Sequence, residues 1–203
     1  MATVVIALTG EPGAGKSTAA QWFRVRGAAL LDADGIVGEL WDGGELPQKA
    51  RARWGEAVFG ADGKIDRKAV SARVFADDEE YRWLCRATHP VVLARMKAAL
   101  PEEGVVVAEI PMLFETGRPD WVDKVLFMAA SPRLRAERNR FRGLDEAELA
   151  RRERFFMDRG RRMALSDWVV RNDGSVENLE AQLEKIWREI QALRSRRETQ
   201  TDC

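Results

Sequence analysis

The run Gly10-Glu11-Pro12-Gly13-Ala14-Gly15-Lys16-Ser17 constrains this chain more than any other part of it. It fits the pattern G-x-x-x-x-G-K-[S/T], with Thr18 following, and it separates two segments of opposite character. Before it, Val4 to Leu8 is a continuous apolar run rich in β-branched residues, which suits a strand buried on both faces. After it, Ser17 to Arg26 reads as a helix. Strand, glycine-rich turn and helix in that order make a phosphate-binding loop. Glycines let backbone N–H groups turn inward around phosphate oxygens, and the helix N-terminus adds the positive end of its dipole. Gly13, Ala14, Gly15, Lys16, Ser17 and Thr18 are therefore expected to hold a nucleotide. The Lys16 ammonium reaches the β- and γ-phosphates, and the Ser17 hydroxyl holds Mg2+.

Further short apolar runs at Ala28–Leu31, Val105–Ile110, Val125–Ala129 and, more weakly, Trp168–Val170 alternate with helical patterns. That alternation predicts parallel βαβ units, with helices on both faces of a five-stranded sheet. A length of 203 residues suits one domain, or one domain with an insertion. Residues 35–104 far exceed a simple crossover, so helices are expected at 46–57, 67–75 and 78–100, with Pro90 kinking or breaking the last. Ser131-Pro132 reads as an N-cap followed by a first-turn proline, and Asp145 with Glu148 as a capping box. Ser175 should cap a final helix whose apolar stripe is Leu179, Leu183, Ile186, Trp187, Ile190 and Leu193, before a frayed tail from Arg194. The seven tryptophans are expected to pack in the core and between helices.

Composition removes several classes of function. Lys+Arg and Asp+Glu are 33 each, so the formal net charge is zero, and bulk charge does not hold this chain to nucleic acid or an anionic membrane. One histidine, His89, and two cysteines, Cys85 and Cys203, leave neither a zinc ligand set nor a disulfide framework. The N-terminal run lacks a basic flank and a cleavage site, and no apolar stretch reaches the roughly 18 residues of a spanning helix, so a cytoplasmic protein is expected. None of the asparagines, Asn139, Asn172 and Asn178, precedes a lysine, so the Asn-Lys-x-Asp base-recognition motif of GTPases is missing. Small kinases remain, in which an inserted segment binds the acceptor and an arginine-rich lid closes on the phosphates. Residues 133–162 supply such a lid, with eleven arginines and six acidic residues.

Asp32-Ala33-Asp34 follows the second apolar run, where an α/β sheet binds ligands outside its strands' carboxyl ends. A carboxylate there can orient an attacking hydroxyl or take its proton; Asp34 is expected to do so, with Asp32 supporting it. The competing role for either is a helix N-cap.

Beyond the loop, further segments carry a family resemblance. Leu31-Asp32-Ala33-Asp34, the segment FGADGKIDRKAVSARVF from Phe59 to Phe75, His89-Pro90, Ile110-Pro111-Met112-Leu113-Phe114-Glu115, and Ser166 to Ser175 follow LTGEPGAGKST in order. In these motifs the sequence resembles the dephospho-coenzyme A kinase family of P-loop kinases, over roughly residues 3–193. Met112 replaces a leucine, Arg171 an aspartate, and Arg162 stands near a usual lysine. The resemblance implies an α/β fold with a P-loop NTPase-type parallel sheet. The nucleotide-binding core comprises 1–34, 104–132 and 163–193; 35–103 is an inserted helical acceptor-binding region and 133–162 a small helical lid. It also implies ATP-dependent, Mg2+-assisted phosphorylation of the ribose 3′-hydroxyl of dephospho-CoA, the last step of coenzyme A synthesis. Arg138 and Arg142, one helical turn apart, match the spacing of the family's lid arginines, and Asn172 falls in its nucleotide-binding segment. His89 and Glu115 are expected at the acceptor, and Glu109 is a further acid that could hold Mg2+ through water. Two rivals stand beside this reading. One is another small P-loop kinase acting on a nucleoside monophosphate or small alcohol; the other is a catalytically weak ATP-binding regulator.

Overall fold

A computed structural model describes residues 3–140 and 145–201 of the chain. The five apolar runs form one all-parallel sheet: β1 (Thr3–Gly10), β2 (Ala29–Asp32), β3 (Gly104–Glu109), β4 (Lys124–Ala129) and β5 (Trp168–Arg171), in the order β2-β3-β1-β4-β5. The most apolar strand, β1, lies at the centre and is buried from Val4 to Gly10. Alternate residues Val4, Ile6 and Leu8 face one side of the sheet. There they join Val105, Val107, Leu126 and Met128 in a cluster with α1 (Lys16–Val25) and α10 (Val176–Thr201). Phe23, Leu183 and Ile190 are completely buried in that cluster, and each contributes about 1.5–3 kcal/mol by leaving water. Val5, Ala7, Val106 and Phe127 bury the opposite side.

The chain divides into two compact units, Met1–Asp32 with Met96–Cys203, and Ala33–Arg95. The second holds α2 (Ala33–Asp42), α3 (Glu45–Trp54), α4 (Arg67–Val74) and most of α5 (Asp78–Ala98). The physical basis of its DGKIDR segment is local. Phe59 and Ile65 form an antiparallel bridge around Gly63, and Asp66 then caps α4 by accepting from the N–H groups of Lys68 (2.8 Å) and Ala69 (3.1 Å). Trp54 and Trp83 pack edge to face, and the indole N–H of Trp54 donates to Glu80 at 2.7 Å.

Three local expectations meet the structure differently: the break at Pro90 and the frayed tail are overturned, and the Ser131 cap holds in position but not through its side chain. Pro90 does not break its helix: α5 runs continuously from Asp78 to Ala98. Proline removes one helical donor at a cost of about 3 kcal/mol, which the burial of Val92 and Met96 in the following turns offsets. The tail does not fray at Arg194, because Arg197 donates to Thr3 O (2.7 Å) and to Asp123 (2.9 Å), holding α10 against the start of β1. Ser131 occupies the N-cap of α7 (Pro132–Asn139) in extended geometry without a capping side-chain bond; its own N–H donates to Asp173 instead, at 2.6 Å. Asp145 does cap α8 (Glu146–Glu153) through the Glu148 N–H (2.8 Å), although the Glu148 carboxylate pairs with Arg151 and Arg152. Ser175 caps α10 through the Asn178 N–H.

Candidate active site

The loop between β1 and α1 turns at Gly13 (φ +77°) and Gly15 (φ +95°), left-handed conformations that glycine adopts without strain. Gly13 is also fixed by its surroundings. A Cβ there would collide with the Asn139 amide and come within 2.8 Å of the Arg135 carbonyl, so α7 packs directly on the loop. Asn172, buried just past β5, donates its side-chain N–H to Ala14 O at 2.9 Å, and its own N–H donates to Ala129 O. Arg138 lies between the same elements, donating to Asn172 O (3.0 Å) and Gly13 O (3.4 Å). Lys16 folds over the loop, with its ammonium 3.4 Å from Gly10 O and 3.3 Å from Glu11 O. Ser17 and Thr18 are exposed at the start of α1. Gly13 through Thr18, Asn172 and Arg138 thus come together, while Arg142 lies outside the described residues.

At the carboxyl end of the sheet, Asp32 of β2 and Glu109 of β3 are register partners, and Glu109 is in turn paired with Leu8 of β1. Among the described residues, no group of three or more His, Cys, Asp or Glu is arranged to hold a metal ion. An exposed Ser17 hydroxyl with carboxylates near the strand ends fits Mg2+, which keeps several waters and takes only one or two protein ligands beside substrate phosphates.

Asp34 and His89 belong to the Ala33–Arg95 unit. Asp34 is exposed in the first turn of α2, two residues beyond β2. His89 sits in mid-α5, partly buried, and burial lowers its imidazole below the usual 6.5. A lowered histidine pKa means that the unfolded chain binds the proton more readily, so this group's stabilisation is present above about pH 6.5 and fades as pH falls. His89→Gln should therefore flatten the loss of stability between about pH 7 and pH 5, read as urea midpoints against wild type. Equal pH slopes would remove His89 as the cause.

Glu115, in the single turn α6 (Leu113–Thr116), accepts from the Met157 N–H at 2.8 Å. It thereby anchors the segment between α8 and α9 (Arg159–Ala164). Arg162 is buried between the rings of Phe127 and Phe156, with its guanidinium carbon 5.3 and 5.2 Å from their centres. Sequence reading missed Glu11. This carboxylate, inside an anion-binding loop, is 2% exposed and faces Arg135 at 3.7 Å and Arg159 at 3.2 Å. The available signal was chemical: a carboxylate in a loop built for phosphate needs its own counter-charge.

A central parallel strand feeding a Gly-Lys-Ser loop, with an arginine helix seated on that loop, defines a P-loop kinase. A family model described as dephospho-CoA kinase matches residues 4–178, and the chain belongs to the dephospho-CoA kinase family. It is 36% identical to the dephospho-CoA kinase of Methylococcus capsulatus, covering 94% of this chain and 98% of that relative. It is similar to the crystal structure of TT1252 from Thermus thermophilus, with a TM-score of 0.76, 33% identity, and 93% and 98% of the two chains covered. The dephospho-CoA kinase from Campylobacter jejuni shares the fold, with a TM-score of 0.65 and 23% identity over 93% of this chain and 98% of that one. Among the described residues, no helix is long and apolar enough to cross a membrane.

Proposed function

We propose that this chain transfers the γ-phosphoryl group of ATP to the ribose 3′-hydroxyl of dephospho-CoA, giving CoA and ADP, the last step of coenzyme A synthesis, in the cytoplasm. The observation that carries the reading is the Gly-Lys-Ser loop, with Asn172 and Arg138 bonded to its carbonyls, in a chain whose family match spans residues 4–178.

The loop N–H groups of Gly13 to Thr18 and the Lys16 ammonium bind and orient the phosphates. Ser17 would hold Mg2+, with Asp32 and Glu109 acting through water; the ion supplies positive charge to the β- and γ-phosphate oxygens when bound with ATP. Asp34 orients the 3′-hydroxyl and takes its proton. Residues 35–103, with His89, bind the acceptor, and Glu115 supports it or the lid. Residues 133–162 close over ATP, and Arg138 and Arg142 stabilise the charge that develops on the transferred group.

Arg138→Ala should accordingly lower kcat more than it raises KM for ATP. The Arg138→Ala/Arg142→Ala double variant should lose less than the product of the single losses, because both side chains act in one closed state. A double variant with wild-type kcat would leave these arginines as a solvated face. The acceptor is tested by ADP release with dephospho-CoA, shikimate and a panel of nucleoside monophosphates. Turnover should be confined to dephospho-CoA. A preferred monophosphate or shikimate would assign a different small-molecule kinase, and silence with every acceptor would favour an ATP-binding regulator.

A further inference from the structure

The phosphate loop and the lid are joined by buried charge. The Glu11 carboxylate faces Arg135 of α7 at 3.7 Å and Arg159 of α9 at 3.2 Å, and accepts the Ala130 N–H at 3.4 Å. Arg135, 5% exposed, also pairs with Glu153 of α8, and Arg159 donates to Ala130 O at 3.3 Å. One loop carboxylate therefore reaches two lid helices directly and a third through Arg135. Arg135 precedes Arg138 by three residues on α7, so the two side chains leave neighbouring positions of one helical face.

We propose that Glu11 is a positioning residue for phosphoryl transfer: it pins α7 and α9 to the phosphate loop and so holds Arg138 at Gly13 and Asn172. The inference rests on the kinase reading above. Breaking a buried pair by removing one partner leaves an uncompensated charge, whereas removing both partners is far milder. Loss of Glu11 leaves the Arg159 guanidinium without its carboxylate and Arg135 held by Glu153 alone, and α7 and α9 then shift on the loop to hydrate the uncompensated charge. A simple electrostatic role makes the opposite forecast. Stripping a negative charge from a phosphate site would by itself tighten ATP binding and leave kcat unchanged.

Glu11→Gln keeps the side chain's shape and removes its charge. It should lower kcat about tenfold, with KM for dephospho-CoA within twofold of wild type. On the Arg138→Ala background the same substitution should lower kcat less than twofold, because it acts through Arg138. Glu11→Gln/Arg159→Gln, which removes both members of the closer pair and leaves Arg135 with Glu153, should regain most of the lost kcat. If Glu11→Gln does not fold, Arg159→Gln, whose side chain is more exposed, takes its place in the cycle with Arg138→Ala. Hydrogen exchange needs no acceptor: ADP should protect the α7 amides of wild type and protect those of the Glu11 variant less. Tenfold losses on both backgrounds, an unchanged kcat with lowered melting temperature, or equal α7 protection would overturn the proposal. A wild-type enzyme inert toward dephospho-CoA, with the exchange result intact, would instead overturn the acceptor assignment alone.

Discussion

Lys16→Ala is expected to fold like wild type and to lose turnover by on the order of 10²- to 10³-fold, the scale of removing one preorganised charge donor from a transferring group. The fold survives because little of the loop's shape depends on this side chain. Glu11 N–H donates to Met128 O (3.2 Å), Ala14 N–H to Glu11 O (3.1 Å), Ala19 N–H to Gly15 O (3.0 Å), and Asn172 to Ala14 O (2.9 Å). The ammonium's own bonds to Gly10 O and Glu11 O are long. Lys16→Arg should fail to restore activity, because a planar guanidinium places its charge differently from a compact ammonium at the end of a flexible stem. Steady-state ADP release and circular dichroism check both variants. Near-wild-type turnover in Lys16→Ala would remove the phosphate loop from the chemistry.

Asp34→Asn is expected to bind ATP and dephospho-CoA nearly as wild type does and to lose about 10²-fold or more in kcat, the contribution of general-base assistance. Asparagine keeps the shape and one acceptor oxygen but cannot take a proton at neutral pH. Asp34 is exposed in the first turn of α2 and asparagine keeps its shape, so folding should be preserved. Asp32→Asn should lose less, because its proposed part is support of the Mg2+ shell through water. Both are measured at saturating Mg2+ and dephospho-CoA. An Asp34→Asn enzyme within a few-fold of wild type beside an inactive Asp32→Asn would exchange the two roles. Two nearly silent substitutions would move the search for a base to Glu109.

The sheet was legible because the strands of a parallel sheet are written as short unbroken apolar runs, β-branched and buried most clearly in β1 and β3, and each of the five runs became a strand within two residues of its expected ends. The loop was legible because its chemistry is local: the glycines at positive φ, Lys16 and Ser17 lie within a few residues of one another. Asp145 and Ser175 were legible as caps for the same reason. What escaped depends on partners distant in the chain. Glu11 meets Arg135 and Arg159 only after β4 is laid beside β1, and nothing near Glu11 in sequence names them. Arg135 and Arg162 belonged to a run that read as an arginine-rich lid, with nothing local to say which of its arginines packing would bury. The end of α10 is set by Arg197 reaching Asp123 and Thr3, and the passage of α5 through Pro90 by apolar burial beyond it. In each case tertiary contacts outweighed a local rule.

Phosphoryl transfer to the 3′-hydroxyl is tested most directly by following the phosphate itself. The wild-type chain is incubated with γ-labelled ATP, Mg2+ and dephospho-CoA, and the labelled product is separated and its phosphate located on the ribose. One label should pass to the 3′-hydroxyl for each ADP released, with Lys16→Ala and Asp34→Asn slowed in parallel. Label appearing as inorganic phosphate, or on another acceptor in preference to dephospho-CoA, would contradict the assignment.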